Sequence, residues 1–371
     1  MNDKKIFGII GEYNPFHNGH LYQINKIKEL YKPDIIIAIV TGYFSMRGEI
    51  SALNKFDKTK IAIENGIDII IELPYLLGTQ NADIFAYNAV YLLNLLGVTN
   101  IVAGSESNDI EMIKDICSLE ESKSFKEALK LELDKGNSLR KSYSIALEKH
   151  NYKNILSNDL LNIKYLKAIN NINPIINFDL IKRINNNYFD IEVNQTNIQS
   201  ATTIRGLSEI SNFVPKLTND IFLEKGFYDI NKFSDILKHL IITKDLKNTF
   251  SAKEGIENLF HPNFDSIANL VEDLTSKRYK RSRILRFISY IITDTKKSEQ
   301  IDLDIKLRVL GFNQNGQVYL NQIKKKVHYF TRLVNGINNV YDKELLIAKI
   351  FTNIFKEDFI KMEQSLPYIK K

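Results

Sequence analysis

Two stretches of the chain, DIIIAIV at 34–40 and DIIIELP at 68–74, are nearly unbroken runs of branched apolar residues. Runs of this kind are typical of parallel β-strands that are buried on both faces of a sheet. Segments with helical spacing separate them from each other and from two further apolar runs, KIFGII at 5–10 and NIVAGS at 100–105. Because strand and helix patterns alternate in this way, we expect an α/β fold with a Rossmann-like parallel sheet covered by helices.

The rest of the chain has a different periodicity. PIINFDLIKRI at 174–184 predicts a short pair of strands, and the residues beyond about 215 have mainly helical spacing. A chain of 371 residues is long for one domain, so we predict a division into residues 1–212 and a mainly helical part at 213–371. The first helix should place one apolar stripe against the sheet. The members of that stripe recur at intervals of three: Leu21, Ile24, Ile27 and Leu30.

Composition excludes two classes of protein. No apolar run approaches the roughly 20 residues that a membrane-spanning helix requires, so no membrane segment is expected. Cys117 is the only cysteine, which excludes an internal disulfide and is typical of a cytoplasmic protein. We expect its thiol to be buried and structural. The net charge of +6 is compatible with a polyanionic partner but does not require one.

The residues that carry chemistry begin at GEYNPFHNGH, positions 11–20, where the first strand leads into the first helix. In a parallel sheet, ligands bind outside the carboxyl ends of the strands, where helix N-termini offer free N–H groups to phosphate. His17 and His20 flank Asn18-Gly19, and two imidazoles at a helix N-terminus can donate hydrogen bonds to phosphoryl oxygens. A histidine pair that only packs or caps the helix is the structural alternative. The His-x-Gly-His spacing after a buried strand favours the phosphate site.

A second candidate phosphate element, SATTIR, lies far downstream at 200–205. Its hydroxyl groups and the rigid donor fork of Arg205 suit phosphate oxygens, and the segment is predicted to open a helix. Alone, it would indicate only a helix N-cap. Together, HNGH and SATTIR resemble the two signature elements of the HIGH-type nucleotidyltransferase superfamily, with Ala201 in place of a serine. That resemblance implies attack on the α-phosphate of a nucleoside triphosphate and release of pyrophosphate.

Further sequence blocks extend the resemblance from about residue 6 to about residue 295. In chain order they are EYNPFHNGHLY, RGE, ENGIDIIIELP, TQNADIFAYNAV, GSES, KRI, SATTIR and SKRYKRSRI. Because the blocks fall in loops as well as in core strands, the chain resembles specifically the bacterial tRNA(Met) cytidine acetate ligase family. The family implies that ATP activates acetate as acetyl-adenylate, and that the acetyl group passes to the wobble cytidine of elongator tRNA(Met). Mg²⁺ would accompany the ATP phosphates, and no resident metal, membrane or obligate protein partner is implied.

Carried over residue by residue, the resemblance implies a catalytic set and an ATP-binding set. The implied catalytic residues are His17, His20 and Arg205. The implied ATP-binding residues are Ile10, Gly11, Glu12, Tyr13, Asn14, Pro15, Phe16, His17, Asn18, Gly19, His20, Leu21, Tyr22, Gln23, Gly104, Asn158, Arg183, Ser200 and Thr202. Arg47, Lys55 and Thr202 are weaker candidates for contacts to phosphate or to the transition state. Taken singly, Gly104, Asn158 and Arg183 also fit a strand-end turn, a helix cap and a surface arginine.

The RNA side of the resemblance rests on KRYKRSR at 277–283, continued by Arg286. If this segment is helical, three isoleucines form a buried stripe, while Arg283 and Arg286 lie opposite and can reach phosphates. The isoleucines are Ile284, Ile288 and Ile291. Tyr279 is a candidate for stacking on a base. The predicted tRNA-binding residues are Lys277, Arg278, Tyr279, Arg281, Arg283 and Arg286. A solvated basic helix face is the alternative.

The resemblance assigns residues 1–212 to the ATP-binding catalytic domain and residues 213–371 to a basic C-terminal domain for tRNA. Two rival functions share some of the motifs. A small-molecule adenylyltransferase of cofactor biosynthesis would carry both phosphate elements, but it would not need the long basic C-terminal half. A non-catalytic RNA-binding protein with a relic nucleotide fold is the other, and the intact His17, His20 and Arg205 argue against it.

The chain also departs from the family pattern at a few positions. Gly11 stands where an aliphatic residue is usual, and Lys164 replaces an acidic residue. Tyr43 and Met46 replace polar residues in the loop before Arg47. If that loop shapes the acetate or cytidine pocket, these changes would alter the acyl donor or the efficiency while adenylation survives.

Overall fold

The computed structural model of the protein describes residues 4–184, 197–299 and 306–371. The strands in these ranges are Ile6–Gly11 (β1), Ile35–Thr41 (β2), Ile69–Leu73 (β3), Asn100–Ser105 (β4), Asn177–Lys182 (β5), Leu307–Phe312 (β6), Tyr329–Phe330 (β7) and Tyr368–Ile369 (β8). The four apolar runs of the first 105 residues therefore form strands, as predicted. Of the strand pair predicted at 174–184, the structure forms one member, β5.

Helices cover most of the remaining described residues. They are Asn18–Tyr31 (α1), Lys55–Glu64 (α2), Tyr75–Gly78 (α3), Ala82–Leu95 (α4), Ile110–Leu119 (α5), Lys123–Asp134 (α6), Leu139–Lys149 (α7), Ser157–Ile172 (α8), Ala201–Arg205 (α9), Lys216–Lys225 (α10), Ser234–Thr243 (α11), Ile267–Leu274 (α12), Arg281–Ile292 (α13), Gln314–Ile323 (α14), Asn339–Phe355 (α15) and Phe359–Gln364 (α16). Short 3₁₀ segments lie at 230–233, 246–248 and 256–259. Among the described residues, no helix combines the length and the apolar character that crossing a bilayer demands.

The strands form one sheet in the order β5-β4-β1-β2-β3-β6-β7, and β8 also pairs with β6. The first five strands in this order run parallel to one another, whereas β6 is antiparallel to β3. The carboxyl ends of β1, β4 and β5 consequently meet at one edge, where ligands bind in sheets of this type. The predicted fold class, a Rossmann-like parallel sheet followed by a mainly helical region, is confirmed.

Helices cover both faces of the sheet, and strand β2 shows how. All seven of its residues are buried. Ile35, Ile37 and Ile39 point into the core that contains α4, while the alternate residues point into a second core that contains α1 and α2. This alternation is the period of two that a strand imposes on its side chains. The unbroken apolar run is therefore explained by burial on two sides.

The apolar stripe predicted for α1 is only partly correct. Ile24 and Ile27 are fully buried, but Leu30 is 60% exposed. A helix advances about 100° per residue, so positions nine apart, such as Leu21 and Leu30, lie on opposite sides of it. Residues spaced at intervals of three therefore do not all lie on the buried face of the helix. Only the two middle residues of the predicted stripe are fully buried.

The C-terminal half contributes a strand that the periodicity did not predict. Strand β6 pairs with β3, with Ile70 opposite Gly311, so one sheet contains residues from both predicted parts of the chain. Space for a side chain is missing at Gly311, where a Cβ would lie 2.6 Å from the Thr59 side chain. The division at 212/213 stays a prediction, and the sheet itself crosses it.

A fully buried group of five charged residues, the core ion cluster, joins the same two parts. Its members are Lys55, Glu72, Arg308, Glu344 and Glu363. The Lys55 ammonium lies 2.9 Å from Glu344 and 2.6 Å from Glu363, and Arg308 donates to Glu72 at 2.9 Å. The prediction that Lys55 contacts phosphate is therefore wrong, because its ammonium is enclosed by carboxylates within the core.

Candidate active site

A cavity of about 780 Å³ opens at the carboxyl ends of β1 and β4. Its wall contains the end of β1, the loop that follows, and the first turns of α1. Residues of both predicted phosphate elements line it, including His17, His20 and Arg205, together with Gly104 and Arg183. The fold thus brings HNGH and SATTIR, which are far apart in the sequence, to one cavity.

His17 and His20 form the start of α1 as well as part of the cavity wall. His17 is the N-cap, and its Nδ1 accepts a hydrogen bond from the Gly19 amide at 3.0 Å. The Nδ1 of His20 accepts in turn from the His17 amide at 3.1 Å, which closes a reciprocal capping box. The two rings stack with their centroids 3.8 Å apart. The helix begins at Asn18.

The surroundings of the two imidazoles keep them neutral. Burial, reinforced by the positive charge of Arg183, lowers the pKa of His17 to about 4. Burial and the neighbouring His17 and Arg183 hold the pKa of His20 well below its usual value. Because each Nδ1 accepts a backbone N–H, each neutral ring carries its proton on Nε2. The pair therefore has two Nε2–H groups available as donors.

The SATTIR element forms the short helix α9, as predicted. Ser200 caps it by accepting from the Thr203 amide at 3.1 Å. Arg205, at its last turn, donates to the Asn14 carbonyl oxygen at 2.7 Å and to the Glu49 carboxylate at 2.9 Å. Arg205 is thus tied to the loop after β1 on one side and to the loop after β2 on the other.

Hydrogen bonds hold the loop between β2 and α2 against the loop after β1. They come from side chains of the loop after β1 and from Lys58. Glu12 accepts from the Met46 amide, and Asn14 accepts from the Ala52 amide. The buried Lys58 ammonium donates to the Glu12 carbonyl oxygen at 3.0 Å and to the Thr41 carbonyl oxygen at 2.7 Å. Burial lowers the pKa of Lys58 to about 7 and raises that of Glu12. These contacts hold Met46 and its neighbours against the cavity.

Gly104, Asn158 and Arg183 converge at the ends of β4 and β5. A Cβ at Gly104 would lie 3.3 Å from the Arg183 Cγ, so the glycine leaves room for the aliphatic part of that side chain. Asn158 lies at the start of α8, where its backbone N–H donates to Glu106 at 3.3 Å. The Nε of Arg183 is buried and has no hydrogen-bond partner within the described ranges. Arg183 also borders a second cavity of about 270 Å³, which shares His17 and His20 with the first.

Comparison with known proteins identifies the family. The family model described as HIGH Nucleotidyl Transferase matches residues 4–365. A protein of Caldicellulosiruptor saccharolyticus named tRNA(Met) cytidine acetate ligase is 37% identical, with 95% of each chain aligned. The ligase of the same name from Fusobacterium nucleatum is 36% identical over 94% of this chain and 93% of its own. The chain belongs to the tRNA(Met) cytidine acetate ligase family of HIGH nucleotidyltransferases.

Solved structures agree with this family assignment. The crystal structure of Thermotoga maritima TmcAL bound with alpha-thio ATP superimposes with a TM-score of 0.82 at 26% identity. The match covers 98% of this chain and 99% of that one. As a member of the tRNA(Met) cytidine acetate ligase family, the protein is therefore an ATP-using enzyme with the HIGH nucleotidyltransferase fold.

Within this ligase, the predicted run from 10 to 23 lines the cavities only in part. Ile10 to Asn14, His17, His20 and Gln23 line the larger cavity, and Gly19 and Tyr22 line the smaller one. Four predicted ATP-binding residues line neither: Pro15, Phe16, Asn18 and Leu21. Phe16 is fully buried, and the side-chain amide of Asn18 donates to the carbonyl oxygens of Asn197 and Asn212. Their side chains support the site rather than face it.

The remaining predicted cavity residues are divided between the two cavities. Gly104, Asn158, Arg183 and Thr202 line the larger cavity, and so does the weaker candidate Arg47. Ser200 lines the smaller one. The sequence analysis singled out neither Glu49, which pairs with Arg205, nor Lys58, which donates to the loop after β1. Local spacing offered no signal for either residue.

The predicted tRNA segment of the ligase folds as α13 and the turn before it. Ile284, Ile288 and Ile291 are buried, as predicted, and Lys277, Arg278 and Arg281 are exposed. Arg283 pairs with Glu254 at 2.6 Å. Arg286 is partly buried, with its backbone packed against Gly48.

Tyr279 is the exception in this segment. The ring is 6% exposed, its hydroxyl donates to the Glu254 carbonyl oxygen, and Arg278 and Arg283 lie 5.3 Å from its centroid. A base has no open ring face to stack on, so the prediction for Tyr279 is wrong in this structure. Its apolar ring instead anchors the basic turn to the core.

The positions that depart from the family pattern lie in different surroundings. Tyr43 is 1% exposed and donates to Glu363 of the core ion cluster, away from the cavity. Met46 does line the cavity, and so does Lys164, which pairs with Glu120 at 2.7 Å. Gly11 leaves room for Tyr13, whose ring a Cβ there would meet at 2.7 Å. Cys117 is buried, as predicted.

Proposed function

We propose that this ligase uses ATP to activate acetate as acetyl-adenylate, and then acetylates the wobble cytidine of elongator tRNA(Met) to N4-acetylcytidine. The observation that carries the proposal is the convergence of HNGH and SATTIR on one cavity in a chain that aligns end to end with ligases of that name. The cavity is of the size that small ligands and cofactors occupy. A basic helix lies beside it for the RNA.

In the first step, an acetate oxygen attacks the α-phosphorus of ATP, and the bond to the bridging oxygen of pyrophosphate breaks. The two Nε2–H groups of His17 and His20 would donate to phosphoryl oxygens as their charge grows. Neutral donors held by a capping box need no reorganisation, which is how preorganised sites stabilise a transition state. Arg205, which lines the same cavity, would hold the departing pyrophosphate.

In the second step, the exocyclic N4 of the cytidine attacks the acetyl carbon. The C–O bond to AMP breaks, N4 loses one proton, and AMP leaves with the bonding electron pair. No covalent bond between enzyme and substrate forms in either step, so the chain acts by positioning its substrates. The basic residues of α13 and the preceding turn would hold tRNA phosphates during this transfer.

Mg²⁺ would enter with the triphosphate and neutralise part of its charge. Magnesium in such sites is held by phosphates, waters and one or two carboxylates. Glu12, in the loop after β1, and Glu49, which pairs with Arg205, both line the cavity. Among the described residues, these two carboxylates would be placed to hold such an ion.

The test is to incubate the protein with ATP, labelled acetate and total tRNA. Acetate-dependent formation of AMP with label on the tRNA is the expected result. Nucleotidyl transfer to a metabolite, with no label on tRNA, would support the small-molecule adenylyltransferase instead. Binding of tRNA without AMP formation would support the non-catalytic alternative.

A further inference from the structure

The larger cavity continues beyond the two phosphate elements to the helices inserted after β4. Its far lobe is the part lined by residues of α6 and α7, namely Phe125, Leu129, Leu139, Arg140 and Tyr143. Most of these side chains are apolar or aromatic, which contrasts with the polar wall at the histidines. Such a lobe suits a flat heterocycle better than a triphosphate, because aromatic and apolar walls stack on bases.

The charged residues along the rim of this cavity are of two kinds. Most are paired: Lys126 with Glu121 at 2.9 Å, Lys164 with Glu120 and with Asp83, and Lys167 with both glutamates. Arg47 and Arg140 line the same cavity and are exposed, yet neither side chain has a hydrogen bond or ion pair among the described residues. Asp83, Glu120 and Glu121 are thus already paired with lysines, whereas the exposed guanidinium groups of Arg47 and Arg140 are left for a ligand.

Arg47 and Arg140 border the cavity from different elements. Arg47 precedes Gly48, whose φ is +79° and where a Cβ would lie 2.3 Å from the Arg286 backbone nitrogen. The Arg47 side of the rim therefore rests directly on α13, the helix that carries the predicted tRNA-binding residues. Arg140 belongs to α7, and its neighbour Leu139 lines the cavity while 65% exposed. Arg47 thus lies between the basic helix α13 and the cavity, and Arg140 lies where the same cavity reaches α7.

We propose that this rim is the RNA entrance of the enzyme: Arg47 and Arg140 each bind a backbone phosphate of a single-stranded segment, and the everted pyrimidine between them enters the far lobe. The proposal rests on the proposed function and adds the route by which the base arrives. An enzyme that modifies a base must receive it outside the stack, in a pocket that stacks on its faces. Leu139 would contact the sugar or base at the point of entry.

The experiment compares Arg140→Ala with Lys141→Ala. Both variants remove one charge from the exposed start of α7, but only Arg140 lines the cavity. The full-length protein is assayed for acetyl transfer with purified elongator tRNA(Met), and KM for tRNA is measured at several salt concentrations. Arg140→Ala should raise KM for tRNA by at least fivefold and reduce the salt slope by about 0.7, as expected for one single-strand phosphate contact. Lys141→Ala should change neither.

A second variant tests the apolar part of the rim. Leu139→Ser should raise KM for tRNA without changing the salt slope, because no charge is removed.

Equal effects of Arg140→Ala and Lys141→Ala would overturn the inference, since α7 would then attract RNA only through its overall positive charge. A rise in KM for ATP in place of KM for tRNA would also overturn it, because the far lobe would then hold the adenine. Failure of the wild type to label tRNA would instead refute the proposed function itself.

Discussion

The core ion cluster and the cavity differ in whether their buried charged groups have partners within the protein. In the cluster, Lys55 and Arg308 each contact at least two carboxylates, and every member is excluded from solvent. In the cavity, the buried Nε of Arg183 has no hydrogen-bond partner within the described ranges. Burial of an ion costs several kcal/mol unless a partner offsets it. In the cluster, ion pairs within the protein offset the free-energy cost of burying the charges. In the cavity, an anionic ligand would offset it.

This difference separates charged groups that stabilise the fold from charged groups that are available to bind a ligand. The cluster connects α2 and β3 with β6, α15 and α16, so its ion pairs fix the C-terminal half onto the sheet. Burial raises the pKa of Glu344, and the neighbouring Glu72 and Glu363 add to this shift against the charge of Lys55. The unpartnered guanidinium nitrogen lies in the candidate active site, whereas the fully paired charges lie where the two predicted parts of the chain pack together.

The largest expected effect comes from breaking the cluster. Arg308→Met leaves Glu72 and Glu363 without one of their cations and should lower the free energy of unfolding by about 3–5 kcal/mol. Urea denaturation measures it. The matched control is Lys244→Met, which breaks an exposed pair with Asp294 and should cost less than about 1 kcal/mol. Equal small losses in both variants would show that the cluster does not hold the two parts together.

Removal of one donor from the cavity should affect chemistry more than folding. His20→Ala takes away an Nε2–H group and should reduce acetate-dependent ATP–pyrophosphate exchange about 100- to 1000-fold. The affinity for tRNA should be largely retained. His239→Ala, which removes an exposed histidine on α11, is the control and should leave exchange intact. An unchanged exchange rate in His20→Ala would exclude the imidazole as a donor to phosphate.

The neutral histidines also predict how stability depends on pH. Unfolded histidine titrates near pH 6.5, whereas burial lowers the pKa of His17 to about 4. Between these values the unfolded chain binds more protons, so the unfolding free energy falls as the pH is lowered from 6.5 towards 4. His17 alone contributes at most about 1.4 kcal/mol per pH unit. His17→Gln should therefore give a shallower dependence when urea midpoints are measured across this range.

The smallest expected effect concerns Arg283, a partly buried charge on α13 that pairs with Glu254. Arg283→Ala should weaken tRNA binding severalfold and lower its salt dependence, because it removes a cation from the segment at 277–286. Adenylation should persist. Lys325→Ala, in the separate basic run at 324–326, serves as the control of equal charge. If both variants weaken tRNA binding equally, the α13 segment has no special role in holding the RNA.

The sequence predicted the elements that depend on local pattern and failed on those that depend on distant partners. The strands β1 to β4 and the start of α1 at HNGH follow from residues adjacent in the chain. The pairing of β6 with β3 and the contact of Lys55 with Glu344 depend on residues more than 200 positions away, for which periodicity carries no signal. Tyr279 misled for a related reason, since an aromatic ring among arginines suits both a base and a core.

Strand β3 has a consequence for synthesis. All five of its residues are buried in the finished protein, but the strand that covers its free edge begins only at Leu307. A growing chain must therefore carry an apolar, unpaired strand edge while the whole region between them emerges from the ribosome. Such edges pair readily with other chains. Truncations that end before β6 should aggregate, and chaperones that cover β3 should assist the nascent enzyme until its C-terminal strand arrives.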